Sequence, residues 1–266
     1  MEKRQGHSIN RKKGAYDMML LSYANNFFGY GYGYRGLYFD PTMILALLGL
    51  ILTMIASAGV NSTFAKYNKV RCMRGMTGAE AAQQVLHAAG IFDVQIRHVR
   101  GNLTDHYDPR NKTLNLSDST FSSNSVAAVC VAAHECGHAV QHAQGYAPLT
   151  LRSQLVPVVQ FSSTAATWVI ILGLVLMTTT QNALLCWIGV GMIAMSAIFS
   201  LVTLPVEYNA SARALEWLQV SRTMQGAQLA QAKEALGWAA RTYLVAALSA
   251  VASVLYWVFV ILGRRD

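Results

Sequence analysis

Charge is scarce in this chain: 13% of its 266 residues are Asp, Glu, Lys or Arg, against 53% hydrophobic, and the mean hydropathy is positive. A typical soluble domain carries about twice that share of charge, so the composition excludes one and points to a membrane protein. The scarcity is concentrated. No charged residue occurs in 41–65, in the 54 residues 153–206, or in the 22 residues 242–263. A spanning helix needs about 20 apolar residues, so these gaps accommodate one, two and one crossings. The first apolar run begins after about 40 residues, later than a cleaved signal peptide would. Cysteine is sparse too. Cys72, Cys130, Cys136 and Cys186 form no C-x-x-C pair, so no disulfide framework is expected and a reducing compartment suits the chain.

The expected organisation is a basic, Gly/Tyr-rich N-terminal segment (1–40) and a first transmembrane helix (41–60), then a domain over 61–152. Transmembrane helices at 158–177 and 183–204, a cytosolic helical segment at 205–242 and a fourth transmembrane helix at 243–262 follow. Thr178 to Asn182 is the turn in the long gap. Four crossings put 61–152 and 205–242 on one side of the bilayer. That side holds 13 Lys and Arg, from Lys66 to Arg241, against 8 on the other, so the positive-inside rule places it in the cytoplasm. The net charge of +8 reads as membrane-surface anchoring and topology rather than nucleic-acid binding, because no basic stretch carries interleaved aromatics. Nothing in the sequence bears on oligomeric state.

What is present is a metal-binding pattern. His134, Glu135 and His138 spell H-E-x-x-H, and histidines four apart on a helix put both imidazoles on one face, where they can hold Zn2+. Glu135 lies about 100° round the helix from His134, where its carboxylate can reach a water molecule rather than the metal and act as general base. The flanks fit a buried helix running from the serine-rich stretch before Val126 to a stop at Gly145.

A catalytic zinc site usually takes three protein ligands. After the motif the remaining acids are Glu207, Glu216, Glu234 and Asp266, and the remaining histidine is His142. His142 stands one turn further along the same helix, about 6 Å beyond His138, too far to close a tetrahedron, and reads as a packing or supporting histidine. Glu216 and Glu234 lie deeper in a polar amphipathic stretch and read as a solvated face. Glu207, just after the third span and on the motif's side, is the expected third ligand. Intramembrane zinc proteases use an aspartate on a later span, and none occurs between Ala139 and Arg265, so the site should sit at or above the membrane surface.

Ahead of the motif, TGAE at 77–80 forms a capping box opening a packing helix that stops at Gly90. Residues 94–99 and 112–117 alternate like strands, with a turn over 108–111. The acidic and aromatic run at 105–108, with His106 and Tyr107, either lines the site or forms a solvated turn. An edge strand beside such a helix can receive an extended peptide by backbone pairing.

TGAE at 77–80, LTDHYDP at 103–109, AAHECGHA at 132–139, QHA at 141–143, YAP at 146–148 and LPVEYNAS at 204–211 together resemble the YugP-like membrane zinc metallopeptidases, from about Phe39 onward. A looser similarity runs to the HtpX-like gluzincins. The resemblance implies zinc on His134, His138 and Glu207, with Glu135 as base. The HtpX-like group has an aspartate four residues after its ligand glutamate; here Ser211 stands there, so Asn209, Ser211 or Arg213 must take over its orienting role.

The expected fold is mainly α: a four-span helical membrane protein with a small α+β zincin-like catalytic domain at the membrane surface. The expected activity is hydrolysis of peptide bonds in membrane-associated or unfolded proteins, at the cytoplasmic face of a bacterial plasma membrane. Tyr107, His106, His142 and Arg213 are candidate donors to the oxyanion. Two other readings are a non-catalytic scaffold in which zinc staples two helices, and a zinc hydrolase of a lipid or other non-peptide ester.

Overall fold

A computed structural model describes residues 41–263. The basic Gly/Tyr-rich segment and the terminal arginines lie outside the described residues. In chain order the elements are α1 (Pro41–Tyr67), α2 (Gly78–Ala88), β1 (Gln95–Val99), β2 (His106–Asp108), β3 (Thr113–Ser117) and α3 (Asp118–Phe121). Helices α4 (Val126–Ala143), α5 (Ala147–Thr180), α6 (Leu184–Val220) and α7 (Ala227–Leu262) complete the chain. The molecule is mainly helical with one small sheet, and α1, α5, α6 and α7 are long and apolar enough to cross a membrane.

Two cores divide the molecule. One gathers α2, the sheet and α4 with Tyr67 at the end of α1, Ala214 and Leu218 near the end of α6, and Ala232 and Leu236 early in α7. The other joins the far parts of α5, α6 and α7 through Ile170, Cys186, Ile193, Trp257 and Ile261. Helices α6 and α7 therefore serve both. At 1.5 Å per residue, the 37 residues of α6 extend about 55 Å, well beyond a hydrocarbon core of about 30 Å. Large apolar side chains such as Phe161, Trp168, Leu172 and Leu184 point outward along the apolar lengths, as lipid-facing residues do.

The helices run through the prolines that bracket the expected spans. Pro157 lies inside α5 and Pro205 inside α6, so the stretch from Glu207 continues the third span rather than opening a new helix. A proline removes one backbone donor, and packing on both sides of Pro205 offsets that loss. At the hairpin between α5 and α6, Thr179 and Thr180 donate to the carbonyls of Val175 and Leu176 at 3.1 and 2.7 Å. Those bonds carry the helix into the expected turn. It ends at Gln181, which adopts the left-handed conformation at φ 57°.

The capping box of α2 forms in full: the Glu80 amide donates to Thr77 Oγ1 and the Thr77 amide to the Glu80 carboxylate. Three strands occur where the sequence pattern showed two. The order is β1-β3-β2, with β1 parallel to β3 and β2 antiparallel to it. The turn after Asp108 thus joins β2 to β3. Central β3 buries Leu114 and Leu116 beneath α4, and β2 is left as an edge.

Candidate metal centre

Helix α4 starts where the Ser125 hydroxyl accepts from the Ala128 amide at 3.1 Å, while donating to the Asn68 side chain at 2.9 Å. Its Ala, Val and Cys residues are buried almost all round, so His134 and His138 are held by a helix that cannot rotate without breaking the core. The two rings stand edge to face with centroids 4.9 Å apart.

Glu207 reaches this pair across a close helix crossing. A Cβ on Gly137 would lie 2.7 Å from the Ala210 carbonyl oxygen, so only glycine lets α6 approach so near. Glu207 is 2% exposed, and its Oε2 lies 3.3 Å from His134 Nε2 and 3.5 Å from His138 Nε2. The three ligand-type atoms fall within 4.8 Å of one another.

The surroundings decide which ring nitrogens face Glu207. His138 Nδ1 is 3.0 Å from Gln141 Oε1, an atom that only accepts, so Nδ1 carries the proton and Nε2 presents a lone pair. The Gln141 amide is pinned in that orientation because its nitrogen donates to the Val206 carbonyl at 2.8 Å and to Asn209 Oδ1 at 2.9 Å. His134 Nδ1 meets the Ser211 hydroxyl at 3.1 Å. Nε2 of His134, the Nε2 lone pair of His138 and a carboxylate oxygen then converge, and Glu207 Oε2 is buried with no hydrogen-bond partner. An unpartnered buried carboxylate oxygen is costly, and a cation at this point would satisfy it. The donor set fits zinc.

Glu135 stands beside this cluster with its Oε2 accepting from the Tyr107 amide on β2 at 3.1 Å. Burial pushes its carboxyl up to about 7; His134 opposes that, the Glu207 and Asp105 carboxylates add to it, and the Tyr107 amide opposes. Asp105 is tied to the Ser117 amide and hydroxyl at 2.7 and 2.8 Å, which anchors the approach to β2.

Residues 42–262 match the family model described as "Putative neutral zinc metallopeptidase". The chain belongs to this zinc metallopeptidase family. It is also 39% identical, over 226 residues covering 84% of this chain and 98% of the relative, to the "Putative membrane protease YugP" of Bacillus subtilis (strain 168). No solved structure matches the chain.

Among the other expected residues, Tyr107 lies against Glu135, and its hydroxyl meets His142 Nδ1 at 2.8 Å. His142 itself is exposed and takes no part in the ligand cluster. His106 turns away, with Nδ1 at 2.9 Å from the Thr104 carbonyl and Nε2 at 3.2 Å from the Asn115 amide nitrogen. Ser211 occupies the orienting position at His134. Asn209 acts one step removed, through Gln141, while Arg213 donates to Asn209 and Gln144, both at 2.7 Å. Glu216 and Glu234 are exposed. Three contributors escaped the sequence reading: Gly137 at the crossing, Gln141 at His138, and Arg152, whose Nη1 lies 3.3 Å from Glu207 Oε1. The rise of 3.6 residues per turn could have pointed to Gln141, which follows His138 by three positions.

Proposed function

We propose that this chain is a zinc metalloendopeptidase of the gluzincin type, cleaving membrane-associated or unfolded proteins at the cytoplasmic face of a bacterial plasma membrane. The observation that carries this reading is the convergence of His134 Nε2, His138 Nε2 and an otherwise unpartnered Glu207 Oε2 on one buried point beside Glu135. These three residues would hold the zinc, which supplies Lewis-acid polarisation of the scissile carbonyl and a more acidic water.

Glu135 takes the proton from the attacking water and delivers it to the leaving amine. A carboxyl raised towards neutrality can do both. Strand β2 bounds the same space and offers an edge for an extended substrate. Tyr107 is the best-placed donor to the developing oxyanion: its strand abuts Glu135, and burial, with Asp93 and Asp108 adding, pushes its hydroxyl up to about 12, so it stays protonated. His142, bonded to that hydroxyl, orients it. His106 and Arg213 are engaged elsewhere.

The Lys and Arg excess on the 61–152 side and the division of the long helices between two cores support a catalytic domain seated on the membrane surface. The test is cleavage of an unfolded protein by detergent-purified, zinc-loaded wild type and Glu135→Gln. Turnover by wild type alone supports the reading. No cleavage by either, with zinc bound to both, would favour the zinc-stapled scaffold.

A further inference from the structure

The two oxygens of Glu207 keep different company. Oε2 faces the imidazoles, whereas Oε1 lies 3.3 Å from Arg152 Nη1. With the carboxylate 2% exposed, protein groups rather than bulk water settle what each oxygen does. The sequence gives this contact a simple origin. Arg152 and Glu207 are the charged residues on either side of the 54-residue uncharged stretch. Helices α5 and α6 fold that stretch into a hairpin with arms of similar length, so its two bracketing charges meet at the base.

The corner before α5 completes the arrangement. Gly145, at φ +62°, ends α4 in the left-handed conformation, and α5 begins at Ala147, bringing Arg152 within its second turn over the ligand cluster. The Arg152 side chain is 25% exposed, so its charge is only partly screened. The other supports of the ligand set are neutral: the Ser211 hydroxyl on His134 and the Gln141 amide on His138.

We propose that Arg152 is the positioning residue of the third metal ligand: its guanidinium holds Oε1 of Glu207 so that Oε2 alone is offered to the metal. This rests on the assignment of Glu207 as a ligand. A carboxylate with both oxygens free can chelate through the pair, which would fill the position a catalytic site keeps for water. Arginine suits the restraint because it is always charged and its donors sit in a rigid fork.

The test is the visible spectrum of Co2+-loaded, full-length protein, with zinc affinity measured by chelator competition. Wild type should show the intense absorption of a four-coordinate site. Arg152→Met should lose that band towards the weaker absorption of five-coordination and bind zinc about 10–100-fold more weakly, as loss of an orienting partner typically does. Arg152→Lys, which keeps the charge but not the fork, should fall between. A wild-type spectrum and affinity in Arg152→Met would overturn the proposal. If that variant does not fold, Arg152→Lys decides in the same way: a partial shift supports the proposal and wild-type behaviour overturns it. Glu207→Gln run in parallel keeps the two readings apart. Wild-type Co2+ binding there would remove Glu207 as a ligand; loss of the band there, with retention in Arg152→Met, would remove Arg152 alone.

Discussion

Helix α4 carries His134 and His138 four positions apart, and the helical repeat alone puts both rings on one face. Helix α6 carries Glu207, 69 positions after His138, and reaches the same point only because a membrane hairpin folds back and its base crosses α4 at Gly137. The difference extends to their surroundings. Helix α4 is capped at Ser125 and buried as a unit within one core, so its half of the site depends on local geometry. Helix α6 belongs to both cores, and its half depends on how the membrane-spanning part is held. The α6 half of the site therefore depends on both cores, and it should be the easier to disturb.

The most severe break is expected at the α6 carboxylate, the proposed third ligand. Glu207→Gln should retain the fold but lose zinc affinity by more than the roughly 100-fold upper range of a supporting-residue change, measured by chelator competition. A next step separates the helices without touching a ligand. Gly137→Ala places a methyl carbon against the Ala210 backbone and should destabilise the protein by about 1–3 kcal/mol with reduced zinc content. Its control is Gly237→Ala, where nothing lies within 4 Å; there thermal stability should hold or rise by up to about 1 kcal/mol. Equal melting temperatures for the two would show that the crossing is not tight.

Smaller effects sharpen the α4 side. Gln141→Leu removes the acceptor at His138 and the donor to Val206 and Asn209, and zinc affinity should fall about 10–100-fold. The mildest change is at His134, where Ser211→Ala deletes one hydrogen bond worth about 1 kcal/mol, or several-fold in affinity. Ser211→Asp should move the other way, since a carboxylate raises imidazole basicity; weaker zinc binding in that variant would mean the serine does not orient His134.

Much of this was legible in the residues. The four apolar windows, the capping box at Thr77, the start of α4 at Ser125 and its stop near Gly145 all follow from local propensity. The choice of Glu207 over Glu216 and Glu234 followed from its place just after the third span on the motif's side, with the other two on a polar amphipathic stretch. The extents of α5 and α6 did not follow. The expected spans began just after Pro157 and ended just before Pro205, yet both prolines lie inside helices. Strand β2 was missed because three residues are too few to show alternation, and it exists only by pairing with β3.

By itself the sequence determined that there is a membrane hairpin bracketed by Arg152 and Glu207, and that two imidazoles share a helix face. Hydrophobic run length and the 3.6-residue repeat fix those without reference to the rest of the chain. Only the tertiary structure decided that Glu207 turns one oxygen to the imidazoles and the other to Arg152, that Val206 and Asn209 pin the Gln141 amide, that Ser211 meets His134, and that Glu135 faces the edge of β2. Each of those is a contact between elements distant in sequence, set by how closely helices and strands can pack, and no local pattern encodes such a distance.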